Sequence, residues 1–195
     1  MPLTALIGRA RELEDVGETL RRTRLVTLTG PGGVGKTCLA IELARRQVGR
    51  RVDGVWLVDL TAGSDPAAEV ARVLAVGGSS AVAPTESLRR YLFDRDVLLV
   101  VDNCEHVVDA CAELVSSLLG ACGSLRILAT SRESLGVNGE TVWRLDSLAS
   151  EDACRLFVER ARERDPRFIP DDEADKLKTV GDAMEYLKRQ AATQS

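Results

Sequence analysis

One octapeptide constrains this chain more than any other part of it: GPGGVGKT, residues 30–37. It fits the pattern G-x-x-x-x-G-K-[ST], and its flanks supply the strand and helix that the pattern requires. Before it, RLVTLTG (24–30) is a run of β-branched and apolar residues ending at glycine, which reads as a strand. After it, KTCLAIELARRQV places Leu39, Ile41, Leu43, Ala44 and Val48 at helical spacing. Glycines let the backbone turn tightly and aim successive N–H groups inward as an anion nest, and the following helix adds its N-terminal dipole. In such a loop Lys36 reaches the β- and γ-phosphates and the Thr37 hydroxyl ligates magnesium. Gly30, Pro31, Gly32, Gly33, Val34, Gly35, Lys36, Thr37 and Cys38 are therefore the expected phosphate-binding residues. The bland alternative is a glycine-rich turn that holds no ligand.

The rest of the chain alternates in the same way. GVWLVDL (54–60), VLLVVD (97–102), SLRILATS (124–131) and ETVWRL (140–145) read as further strands. Asp65-Pro66 is an N-cap followed by proline at the first helical position, and AAEVARVLAV continues as a helix that Gly77-Gly78 should stop. TESLRRYLF (85–93), HVVDACAELVSSLLG (106–120) and SEDACRLFVERARER (150–164) are the other expected helices. The strands are apolar throughout rather than alternating, which indicates a parallel sheet covered on both faces. Ligands of such sheets bind beyond the C-terminal ends of the strands.

Two more strand ends carry chemistry. Asp102 closes LLVVD and fits the acid that holds magnesium in P-loop ATPases, directly or through water. Many ATPases follow that acid with a second one that activates water; here Asn103 follows, and an amide cannot act as a base. Glu105 is the nearby acid that could polarise water, or it could serve as a charge at a helix N-terminus. His106, the single histidine, could also act on water in principle. Thr130, Ser131 and Arg132, in ATSR (129–132), would emerge beside the γ-phosphate, where an arginine can sense or stabilise charge. The expected catalytic set is thus Lys36, Asp102, Glu105 and Arg132, with Thr37 and Asp102 as magnesium ligands.

Composition sets bounds. A chain of 195 residues with 45% hydrophobic and 29% charged residues suits one globular domain, with or without an appendage. A net charge of −4 gives no global pointer to nucleic acid. No apolar run approaches the length of a membrane span, and the N-terminus lacks the features of a signal peptide, so a cytoplasmic protein is expected. The five cysteines form no CxxC pair and are expected to be small buried thiols rather than a zinc site or disulfide framework. Before residue 171 a single lysine, Lys36, stands against twenty-one arginines; after it come Lys176, Lys178 and Lys188 against Arg189 alone.

LIGRARELEDV, TLTGPGGVGKTCLA, VWLVDL, LLVVDNCEHVVDA, ILATSRESLGVNGETVWRL and the DACRLFVERA helix occur in an order that resembles the nucleotide-binding domain of STAND-type P-loop NTPases, the NB-ARC group. The likeness is in particular to bacterial transcriptional regulators of the SARP and LuxR kinds, and it covers residues 3–168. It implies a three-layer α/β domain of the ASCE type with a five-stranded parallel sheet, ATP or ADP with Mg2+ as cofactors, and a switch with weak hydrolysis. Other domains or protomers of a regulator are the implied partners, with no nucleic acid and no membrane bound by this segment. It also implies that Ile7 and Arg9 lie near the adenine and that Arg132 is the sensor arginine. Ala10 stands where members usually carry an acid, and the helical and winged-helix segments that usually follow are not in this sequence.

The last stretch, FIPDDEADKLKTVGDAMEYLKRQ (168–190), instead resembles the final two helices of acyl carrier proteins, so the expected division is 1–168 and 169–195. Its Leu177, Val180, Met184 and Leu187 should seek apolar cover. Asp146-Ser147-Leu148 matches the carrier attachment triplet, which makes a carrier or interaction module with phosphopantetheine on Ser147 the reading from another class. An ordinary P-loop kinase or transferase and an incomplete, non-hydrolysing fragment are the remaining alternatives.

Overall fold

The computed structural model describes residues 6–62, 65–77, 82–164, 174 and 176–193. The chain divides into two compact units, residues 11–146 and residues 1–10 with 147–195. The boundary expected at 168/169, with Ile169-Pro170, lies outside the described residues.

The larger unit begins within α1 (Ala10–Arg22) and continues through β1 (Leu25–Thr29), α2 (Lys36–Gln47), β2 (Val55–Asp59), α3 (Pro66–Val73), α4 (Pro84–Leu92), β3 (Leu98–Asp102), α5 (Val108–Ala121), β4 (Arg126–Ser131) and β5 (Glu140–Arg144). The strands form one parallel sheet in the order β2-β3-β4-β1-β5. Its register sets Asp59 beside Asp102, and Thr29 between Ser131 and Arg144, at one end of the sheet. The connection from β1 runs to one side of the sheet and that from β4 to the other. The crevice between those two strands is where such a fold offers a binding site.

Why these residues form these layers follows from the pleat. Leu25, Leu99, Val101, Ile127 and Ala129 face one way and pack with Val70, Leu88, Leu92, Cys111, Leu114 and Leu118 of α3, α4 and α5. Val26, Leu28, Val100 and Leu128 face the other way, where α2 lies on the sheet and buries Leu39 and Leu43. Gly17 of α1 faces Leu43 of α2, and a Cβ built on it would be in ordinary contact, 3.6 Å away. The expected apolar continuity holds for β1, β3 and β4, which are buried almost throughout. It fails at β2 and β5, the sheet edges, where Leu57 is 45% and Val142 48% exposed.

Two element boundaries correct the sequence reading. Helix α3 stops at Val73, not at Gly77-Gly78. The Val76 N–H donates to Ala71 O at 2.9 Å and the Ala75 N–H to Arg72 O at 3.2 Å, a Schellman closure. Ala75 takes the left-handed turn, with φ 53°, where glycine is usual. Helix α5 starts at Val108 rather than 106, because Cys104–His106 forms a 3-10 turn first. The other end of α5 is closed by Arg24, which donates to Leu119 O at 2.9 Å and Cys122 O at 3.1 Å. Asp65 caps α3 as expected, accepting from the Ala67 N–H at 3.1 Å.

The smaller unit contains α6 (Ser150–Arg164) and α7 (Val180–Thr193). Val158, Leu177 and Tyr186 are its core, with Phe157, Ala161 and Ala174 against them. Thr179 and Asp182 form a reciprocal capping box: Asp182 N–H donates to Thr179 Oγ1 at 3.2 Å and Thr179 N–H to Asp182 Oδ2 at 2.8 Å. Hydrogen bonding to the Asp182 carboxyl from the Thr179 N–H first, then from the Thr179 hydroxyl and the Lys178 N–H, holds it below its ordinary range. Leu177 is covered, as expected. Val180, Met184 and Leu187 are not: they are 51%, 53% and 39% exposed, because Ala183 and Tyr186 occupy the inward face of α7. Among the described residues no helix is long and apolar enough to cross a membrane.

Leu128→Ala removes a side chain with 0% exposure from the central strand β4. It is expected to cost about 2–5 kcal/mol of unfolding free energy in urea titrations, whereas Leu57→Ala on the open edge costs less than about 1 kcal/mol.

Candidate functional site

The phosphate-loop motif lies at the C-terminal end of β1 and runs into α2. Gly30 leaves the strand at φ 146°, and a Cβ built there would sit 2.5 Å from the Leu145 carbonyl oxygen, so no larger residue fits. Gly35, the N-cap of α2, has φ 98°, a left-handed conformation that opens the loop into the helix. Lys36 is 8% exposed, and its Nζ donates to Gly30 O at 2.9 Å and Pro31 O at 3.1 Å. Its ammonium thus lies along the inside of the loop. The loop between them, Gly32 and Gly33 included, stays exposed, as does Cys38.

Asp102 is the meeting point of the site. It is 5% exposed, and its Oδ1 accepts from Thr37 Oγ1 at 2.9 Å and also from Thr130 Oγ1. The two expected metal ligands, Thr37 and Asp102, are therefore adjacent. Thr130 in turn accepts from the Asn103 N–H at 3.0 Å. Asn103 is left-handed, with φ 62°, a conformation asparagine tolerates better than most residues. Its Nδ2 donates to Asp59 Oδ1 at 2.9 Å, Thr61 Oγ1 at 2.8 Å and Asp102 Oδ2 at 3.3 Å. Asn103 is thus a donor between two acids, in the place where a second acid would repel both.

Asp59 and Thr61 were missed in reading the sequence. Asp59 ends VWLVD as Asp102 ends LLVVD, and that repeated strand-end acid was the available signal. Hydrogen bonds from the Thr61 hydroxyl, from Asn103 and from the Thr61 N–H hold the Asp59 carboxyl below its ordinary range.

Glu105 lies in the 3-10 turn, with its side chain 14% exposed. Its Oε1 is 3.5 Å from Arg132 Nε, and its Oε2 is buried without a hydrogen-bond partner. The Arg132 side chain is 68% exposed and reaches the phosphate loop: its Nη2 lies 3.9 Å from a Cβ built on Gly32. His106 is exposed. An open cleft of about 380 Å³ is lined by Thr29, Gly30, Pro31, Arg132, Glu133, Ser134, Val142 and Arg144. Sequence reasoning missed Val142 and Arg144, because β5 carries no motif of its own.

Four residues expected from sequence, Lys36, Thr37, Asp102 and Arg132, are thus gathered at one end of the sheet with Glu105 beside them. Ile7 and Arg9 belong to the smaller unit, where Ile7 is half-buried and Arg9 buried. Between them Gly8 has φ 69°, and a Cβ on it would meet the Asp152 side chain at 2.5 Å. Four cysteines are buried as expected, and Cys38 is exposed. Cys104 Sγ lies 3.5 Å from Cys111 Sγ; that contact and burial push the Cys104 thiol up. Ser147 is exposed and follows directly on the larger unit.

Residues 4–152 match the family model Novel STAND NTPase 1. A Mycobacterium tuberculosis protein provisionally assigned as an HTH-type transcriptional regulator is 47% identical over 153 residues, covering 76% of this chain and 17% of that protein. An uncharacterised protein of the same organism is 41% identical over 192 residues, 95% of this chain and 48% of the relative. The chain thus spans less than half the length of these relatives. The second match takes in most of residues 169–195, and the likeness of that tail to carrier proteins finds no support in these matches. Among solved structures, a Signal Transduction ATPase with Numerous Domains (STAND) protein with a tetratricopeptide repeat sensor, from Pyrococcus horikoshii, superposes with TM-score 0.54. It is 20% identical, over 89% of this chain and 28% of that one, which speaks to the fold alone.

Asn103→Asp sets a third carboxylate between Asp59 and Asp102. It is expected to destabilise the fold by about 1–3 kcal/mol at pH 7. Like charges raise the folded-state pKa of the new carboxyl, so the penalty is present above that value and shrinks as pH falls through it. Urea titrations of both proteins at pH 7 and pH 5 measure the difference.

Proposed function

The chain belongs to the STAND NTPases, in the family Novel STAND NTPase 1, and on that premise we propose that it is the nucleotide-binding switch of a bacterial regulator, taking ATP and ADP with Mg2+. The observation that carries this reading is the convergence of Lys36, Thr37 and Asp102 at the phosphate loop, which the fold alone does not require. Family and sheet topology support nucleotide binding in general. The choice of adenine nucleotides rests on the likeness to adenine-binding members and on the lack of an N-K-x-D guanine-reading motif in the sequence.

In this reading the N–H groups of residues 32–37 and the α2 dipole receive the phosphates. Lys36 turns from the Gly30 and Pro31 carbonyls to the β- and γ-phosphate oxygens. Thr37 and Asp102 are hard oxygen donors 2.9 Å apart, a set that fits magnesium, which binds by one or two protein oxygens plus phosphate. Bound there, the cation would neutralise charge on the phosphate oxygens. Arg132, over the loop at Gly32, meets the γ-phosphate.

Hydrolysis in this reading is weak. Asn103 is engaged as a donor and cannot take a proton, which leaves Glu105 as the acid to polarise water. Lack of a dedicated base lowers a rate by roughly 10²–10⁴-fold. A slow NTPase suits a regulator whose bound state, rather than turnover, is the output. The relative assigned to helix-turn-helix regulators supports transcription control as the setting.

Lys36→Ala tests the reading. Calorimetric titration of the wild-type chain with Mg-ADP and Mg-ATP is expected to give micromolar or tighter binding. The variant is expected to bind both about ten- to a hundredfold more weakly, the worth of charge-assisted hydrogen bonds. Equal affinity in wild type and variant would sink the proposal.

A further inference from the structure

We infer that Glu105 sets the preference between ATP and ADP by competing with the γ-phosphate for Arg132. The inference rests on the nucleotide reading above and deepens it. Its basis is one guanidinium between two neighbours. On one side, Arg132 Nε lies 3.5 Å from Glu105 Oε1. On the other, Arg132 Nη2 lies over Gly32 of the phosphate loop.

The two partners of the ion pair are unequal. The Arg132 side chain is 68% exposed, while that of Glu105 is 14% exposed and rooted in the turn after β3. The second oxygen of Glu105 is buried with no hydrogen-bond partner. A carboxylate placed so depends on the one cation it has, because desolvation of a charge is costly without compensation. ADP leaves the pair intact, since its β-phosphate is satisfied by the loop and Lys36. ATP presents a third phosphate that recruits Arg132 away from Glu105. The ATP state therefore forfeits the ion pair, and the ADP state keeps it. A ligand shifts an equilibrium only by its differential interaction with the two arrangements, and here that difference is the worth of the pair. For a pair with one exposed partner this amounts to about two- to tenfold in relative affinity.

The same geometry makes Asn103 the reason Glu105 is where it is. The left-handed Asn103 starts the 3-10 turn that carries Glu105, and its N–H is tied to Thr130, two residues before Arg132. Glu105 and Arg132 are thus held at fixed roots and coupled through their tips.

The test is titration with Mg-ADP and with a non-hydrolysable Mg-ATP analogue, using wild type, Glu105→Gln, Arg132→Ala and the double variant, each checked for native circular dichroism. Glu105→Gln is expected to shift the ratio of affinities about two- to tenfold toward the ATP analogue. In the Arg132→Ala background the same change is expected to leave the ratio where it is. Glu105→Asp, which withdraws the carboxylate by one methylene, is expected to shift the ratio in the same direction as Glu105→Gln and supplies the measurement should that variant fail to fold. An unchanged ratio, or a shift that persists without Arg132, overturns the inference while ADP binding stands. A comparable shift in Glu133→Gln also overturns it, since the effect would then be general charge rather than this pair. Failure of the wild type to bind either nucleotide overturns the nucleotide reading itself, and this inference with it.

Discussion

The carboxyl group of Asp102 ties together the elements at the C-terminal end of the sheet's strands. It is nearly buried, and such a polar group persists only where donors surround it. Here the donors come from three elements: Thr37 at the start of α2, Thr130 on β4 and Asn103 after β3. The consequences run outward. Thr130 receives the Asn103 N–H, which stabilises the left-handed turn. The turn leads into Cys104–His106 and so delivers Glu105. Remove the Asp102 carboxyl, and the start of α2, β4 and the turn lose their common acceptor.

What could be read from the sequence was whatever depends on short-range rules. The phosphate loop was legible because a glycine is demanded where φ is positive and a strand and helix must flank it. The parallel sheet was legible from its buried runs, and α3's start from Asp65-Pro66. The end of α3 was not, because Ala75 accepts a left-handed conformation that sequence assigns to glycine. Nor was the exposure of β2 and β5, since edge position depends on strand order rather than on the strand's own residues.

The site divides the same way. Lys36, Thr37 and Asp102 carry spacing that announces them. The role of Asn103 does not: from sequence it is an acid that is missing, and in three dimensions it is a donor between Asp59 and Asp102. Those two acids are forty-three positions apart and become neighbours only when β2 and β3 pair. The ion pair of Glu105 with Arg132 is hidden for the same reason, its partners lying twenty-seven positions apart. Family membership, by contrast, was legible early, because it rests on several motifs in order and not on any one contact.

The close approach of Gly30 to Leu145 has a further meaning. The Leu145 N–H donates to Thr29 O at 2.7 Å, and its carbonyl occupies the space that a Gly30 side chain would need. The larger unit ends one residue later, at Asp146. One of the two covalent connections to the smaller unit, at Asp146–Ser147, thus begins next to a residue that is hydrogen-bonded to Thr29 and set against Gly30. From Leu145 to Ser147 the chain can extend only about 7 Å, so it has little slack in which to absorb a displacement. Any displacement of Leu145 is therefore felt at Thr29 and Gly30, where the phosphate loop begins.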